Sequence, residues 1–96
     1  MKISEMQSKA HENAREKGFW DNPREFGTMI ALIHSELSEA LEADRQGDSK
    51  GVAEELADVA IRLGDLCGGC GINLEGEIAK KMAYNEGRKK LHGKRY

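Results

Sequence analysis

A chain of 96 residues, with 33% charged, 39% hydrophobic and only 5% aromatic residues, makes one domain (1–96) with a thin aliphatic core. Its net charge of -2 argues against a dedicated polynucleotide surface. No apolar run approaches the roughly 20 residues of a membrane span, and Met1-Lys2-Ile3-Ser4-Glu5 lacks a signal-peptide apolar region. These features predict a cytoplasmic protein without membrane or polynucleotide partners. A thin core leaves burial to be supplied by self-association, so a homo-oligomer is expected.

In chain order, the glycines divide the sequence into four helical segments, an all-α pattern. Helix 1 is predicted from Ser4 to Lys17, with Ser4 and Gln7 as a capping box and Gly18 as the stop. Helix 2 opens with Asn22 as cap, Pro23 in the first turn and Glu25 behind it, and runs to Arg45. Gly47-Asp48-Ser49 turns the chain into helix 3, Val52 to Cys67. Asn73 caps helix 4, Leu74 to Leu91.

At about 100° per residue, Phe26, Met29, Ile30, Ile33, Leu37, Ala40 and Leu41 share one arc of helix 2. Val52, Leu56, Val59, Leu63, Leu66 and Cys70 do the same on helix 3. The two stripes are expected to pack as an antiparallel pair across a short loop. Ile61 points the other way beside Ala57, a candidate subunit contact. Cys67-Gly68-Gly69-Cys70 lacks the second ligand pair that zinc needs, and closes a helix where redox motifs open one. The cysteines are expected to act as small apolar residues.

Glu36 and Glu39 lie about 60° apart on helix 2, and Glu55 and Asp58 repeat the spacing on helix 3. Both pairs border the predicted seam, where four carboxylates repel unless cations sit among them. Hard oxygen donors in this number suit Mg²⁺, which bridges phosphates and acidifies a bound water. The competing reading is a solvated acidic face, to which Glu42, Glu54 and Asp65 are assigned. A di-iron site is excluded, because none of His11, His34 and His92 follows a Glu by three residues. On helix 4, Lys81, Asn85 and Arg88 fall within an arc of about 60°, a set suited to phosphate oxygens or to neutralising acidic neighbours.

These motifs resemble the MazG-like all-α nucleotide pyrophosphohydrolases, relatives of the all-α dUTPases and dCTPases. The family's Glu-x-x-Glu and Glu-x-x-Asp appear as Glu36-Leu37-Ser38-Glu39 and Glu55-Leu56-Ala57-Asp58, and the similarity extends from Trp20 almost to the end of the chain. The resemblance implies a four-helix MazG-like bundle completed by oligomerisation to a dimer or tetramer. It implies Mg²⁺, with Mn²⁺ as substitute, held by Glu36, Glu39, Glu55 and Asp58. Water attack on the α-phosphorus of a nucleoside triphosphate would then release the monophosphate and pyrophosphate, in nucleotide-pool housecleaning. By the same carry-over Lys81, Asn85 and Arg88 contact phosphate or sugar, and Trp20 and His11 occupy base-contacting places. Trp20 reads equally as a core or interface anchor. Base and sugar preference do not transfer, because relatives differ in substrate. The readings from other classes are a non-catalytic helical oligomerisation module and a nucleotide or metal sensor.

Overall fold

The computed structural model describes residues 1–95, which form α1 (Ile3–Glu16), α2 (Phe26–Arg45), α3 (Ser49–Cys70) and α4 (Leu74–Glu86), then a 3-10 turn over Lys90–Gly93. The fold is an all-α four-helix bundle. Its centre is the α2–α3 hairpin, with α1 laid along α3 and α4 packed on α1. No helix among the described residues is long and apolar enough to cross a membrane.

Local chemistry sets the turns. Gly47 at φ +72° reverses the chain after α2, and the Asp48 side chain then accepts from Gly51 N at 2.9 Å. Helix α3 therefore starts three residues before the predicted Val52. It ends on Gly71 at φ +69°, with Ile72 N donating to Cys67 O at 2.9 Å, so the Gly-Gly pair is helical. Asn73 caps α4 as predicted, accepting from Gly76 N at 3.1 Å. Helix α4 stops at Glu86, short of Leu91.

Two predicted starts are displaced by tertiary bonds. Gln7 does not close a capping box with Ser4. Its amide donates to Ile72 O at 2.7 Å and its carbonyl accepts from Leu74 N at 3.3 Å, tying α1 to the α3–α4 turn. Ser4 N donates to Glu75 Oε1 at 3.2 Å. The Asn22-Pro23 start also fails. Trp20 and Arg24 are both drawn onto α3, the intervening segment stays non-helical, and α2 begins at Phe26.

The α1–α3 contact depends on absent side-chain atoms. A Cβ on Gly64 would stand 2.6 Å from Met6 Sδ, and one on Gly68 2.6 Å from His11 Cβ. One on Gly69 would meet the Trp20 ring. The core is small: Met29, Ala40, Leu66 and Cys67 are the buried hydrophobic residues. Leu37, Leu41 and Leu56, expected in the seam, stay exposed, because two helices cover each other only along a narrow line. The Cα radius of gyration, 15.7 Å, exceeds the about 12–13 Å of a compact chain this long. Cys67 and Cys70 are free thiols, the first packed in the core and the second exposed.

Candidate metal centre

The antiparallel hairpin brings α2 and α3 carboxylates together. Glu36, Glu39 and Glu55 each offer an oxygen within 4.8 Å of the others. Glu36 and Glu55 are half-buried and Glu39 is exposed. Asp58, one turn beyond Glu55, is exposed and lies outside this group.

The trio is electrostatically uneven. Arg62 Nε donates to Glu36 Oε1 at 2.8 Å. That bond holds the Glu36 carboxyl below the ordinary carboxylate range, against the opposing effect of burial. Glu55 moves the other way, to about 7, because it faces Glu36, is shielded from water and also meets Glu39. Its Oε2 is out of solvent and has no hydrogen-bond partner. A shielded carboxylate oxygen without a donor, beside two further carboxylates, is what a hard divalent cation satisfies. The donor set therefore fits a divalent ion and does not by itself select Mg²⁺.

The cationic set from α4 is arranged differently from its sequence spacing. Arg88 lies past the α4 end at Gly87, and its guanidinium donates to His92 O at 3.1 Å. Lys81 Nζ and Arg88 Cζ both lie over the Tyr84 ring, 5.1 and 5.3 Å from its centre. Asn85 Oδ1 is shielded and unpartnered. Among the described residues, none of the three makes a hydrogen bond or ion pair with the carboxylate trio.

His11 and Trp20 converge on Asp65. His11 Nδ1 lies 3.0 Å and Trp20 Nε1 2.8 Å from Asp65 Oδ1, while Arg24 donates to Oδ2 at 3.1 Å. The Arg24 guanidinium lies 4.9 Å from the Trp20 ring centre, and the His11 ring meets Trp20 edge-on. Asp65 was expected on a solvated face. Instead its side chain is only 13% exposed and fastens α1, the 18–25 segment and α3 together.

Arg62 and Asp65 are the residues that sequence reasoning missed. Arg62 follows Glu55 by seven residues and so shares its side of the helix, a usable signal. Asp65 gave none, since its partners lie 41 to 54 positions away. No protein-family model matches the chain, and neither a curated protein nor a solved structure matches it.

Proposed function

We propose that this chain is a divalent-metal-dependent nucleoside triphosphate pyrophosphohydrolase, using Mg²⁺ with Mn²⁺ as substitute. The observation that carries the reading is the Glu36/Glu39/Glu55 group, in which the shielded Glu55 Oε2 has no donor. The sequence resemblance to MazG-like enzymes supplies the reaction class. Glu36, Glu39 and Glu55 would hold the ion, and the resemblance adds Asp58, which stands outside the trio. When bound, the ion neutralises a triphosphate and acidifies water. Arg62 fixes the Glu36 carboxylate, and Glu55, whose carboxyl is raised to about 7, would have to be deprotonated to hold a cation. Water attack on the α-phosphorus yields the monophosphate and pyrophosphate. Lys81, Asn85 and Arg88 are assigned to phosphate or sugar, and His11 and Trp20 to the base side.

The test is a panel of standard and modified nucleoside triphosphates with Mg²⁺, scored for pyrophosphate and monophosphate. Glu39→Ala and Asp58→Ala are expected to abolish turnover with the helical circular dichroism intact. Orthophosphate release, or near-normal turnover in both variants, overturns the reading. The second reading, a non-catalytic oligomerisation module, is favoured by the extent of exposed leucine on α2 and α3. Under it Mg²⁺ leaves the melting temperature unchanged beyond an ionic-strength effect.

A further inference from the structure

A guanidinium held by a single carboxylate bond stands at the edge of the acidic trio. Arg62 follows Glu55 by about two helical turns on α3, so its side chain returns to the same side of the helix. From there Nε reaches across the hairpin to Glu36 Oε1 at 2.8 Å. The Glu36 side chain is only 12% exposed, whereas that of Arg62 is 38% exposed. Among the described residues this is the one hydrogen bond that the Arg62 side chain makes. The neighbouring guanidinium, Arg24, is fixed by contrast, bonded to Asp65 Oδ2 and lying over the Trp20 ring.

Glu36 Oε1 has two claimants. When that oxygen serves a divalent cation, the guanidinium beside it meets a like charge and loses its bond. The other acceptors near Arg62 are taken or weak. Asp65 Oδ1 accepts from Trp20 and lies against His11, and Oδ2 accepts from Arg24. Asp58, one turn before Arg62, is exposed, and an exposed pair at this spacing contributes little. A cavity of about 170 Å³ opens beside Arg62, between α1, the 18–25 segment and α3, with Phe19 and Arg24 in its wall. The guanidinium thus has room to turn and no strong protein acceptor to turn to. A phosphate group carried by the cation supplies one, since its oxygens match the two-bond fork of an arginine.

We propose that Arg62 is a phosphate-contacting residue of the metal centre, pairing with Glu36 in the metal-free chain and turning to a phosphate oxygen when Glu36 serves a cation. The ligand class is a di- or triphosphate carried by a divalent ion. This rests on the pyrophosphohydrolase reading and deepens it, because it names a group that recognises the anion at that same site. It places that group on α3, beside the trio, and not on α4 alone. The exchange couples the two ligands: the bond that Arg62 gives up to admit the cation is replaced only when the anion follows.

The test is titration calorimetry of the full chain with Mg²⁺ alone, then with inorganic pyrophosphate at saturating Mg²⁺, on the wild type and on Arg62→Met. The variant keeps the apolar stem and removes every donor. It is expected to bind Mg²⁺ several-fold more tightly, because no competing charge remains on Glu36. It is expected to bind pyrophosphate about tenfold more weakly, the loss of one charge-assisted hydrogen bond. Opposite signs for the two ligands separate this role from a structural one, which weakens both. Arg62→Lys is expected to recover part of the pyrophosphate affinity. Should Arg62→Met lose its helical circular dichroism, Arg62→Gln is read in its place, with the same two signs expected. Unchanged pyrophosphate affinity, the result of Arg62 turning to Asp58 instead, overturns the proposal. So does a parallel weakening of both ligands, or a wild type that binds Mg²⁺ but not pyrophosphate. A wild type that binds neither removes the metal centre and the proposal together. The two opposite signs without turnover of any nucleoside triphosphate overturn the hydrolase reading and leave the assignment of Arg62 standing.

Discussion

Arg62 Nε donates to Glu36 Oε1 at 2.8 Å, setting a fixed cation from α3 against a carboxylate of α2 at the edge of the acidic trio. The guanidinium already supplies part of the positive charge that three clustered carboxylates require. Arg62→Ala is expected to lower the stability of the metal-free protein by about 1 kcal/mol, a modest figure because the Arg62 side chain is 38% exposed. The same change is expected to enlarge the thermal shift produced by Mg²⁺, since the ion no longer shares Glu36 with a competing charge. Urea unfolding and melting curves with and without Mg²⁺ check both halves. An unchanged Mg²⁺ response would separate Arg62 from the metal centre.

The trio predicts a pH dependence of definite sign. Glu55 titrates at about 7 in the folded chain against an ordinary 4.5, so the stability linked to it is complete below 4.5 and is lost as pH rises through 7. Glu36, lowered by Arg62, acts in the opposite sense, and its contribution is lost as pH falls through its depressed value. Through the neutral range Glu55 governs, so the metal-free chain is expected to melt at a lower temperature near pH 8 than near pH 6. Because a cation needs the deprotonated carboxylate, the Mg²⁺-induced rise in Tm is expected to be larger near pH 8. Equal shifts at the two pH values would show that Glu55 takes no part in binding.

Asp65 accepts from Trp20 and Arg24 and pairs with His11. Asp65→Ala leaves a largely buried guanidinium and an indole N–H without their acceptor, a loss expected to reach about 3 kcal/mol. Trp20 is the only tryptophan, so its fluorescence reports this site alone. A red-shifted emission together with a lowered urea midpoint is the expected pair of results. A shift in emission without loss of stability would mean that α1 is held by the glycine contact alone.

Two glycine replacements are expected to differ in sign. At Gly27 an added Cβ meets nothing within 4 Å, so Gly27→Ala gains the helix propensity of alanine, about 0.5–1 kcal/mol. At Gly68 the same atom would stand 2.6 Å from His11 Cβ, and the overpacking outweighs the propensity gain by about 1–2 kcal/mol. Melting temperatures of the two variants should therefore fall on either side of the wild type.

Sequence periodicity was sufficient for the all-α class, the α2–α3 hairpin and the meeting of Glu36 and Glu39 with Glu55, because these follow from spacing and short turns. Helix starts were less legible. Gln7 and the Asn22-Pro23 pair carry strong local capping chemistry, yet Gln7 bonds to the α3–α4 turn and the bonds of Trp20 and Arg24 to Asp65 keep Asn22-Pro23 out of a helix. The Asp65 junction had no local signature at all, since an aspartate on a helix looks the same whether it meets water or an indole. At Arg88 the helix end differs, although Lys81 and Arg88 still share the Tyr84 ring. The seven-residue offset of Arg88 from Lys81 presumes a continuous helix, and α4 stops before reaching it.

Two oxygens of one carboxylate join α1, the 18–25 segment and α3, whereas among the described residues the side-chain hydrogen bonds that tie α4 to the rest lie around its first turn, at Glu75 and the neighbouring Gln7 clamp. Such unequal attachment gives the chain two tiers of local opening. Amides in the later turns of α4 exchange with solvent through cheap, independent fraying. Those of α1 and α3 open together more readily, because movement of the α3 turn that carries Asp65 strands His11, Trp20 and Arg24 at once.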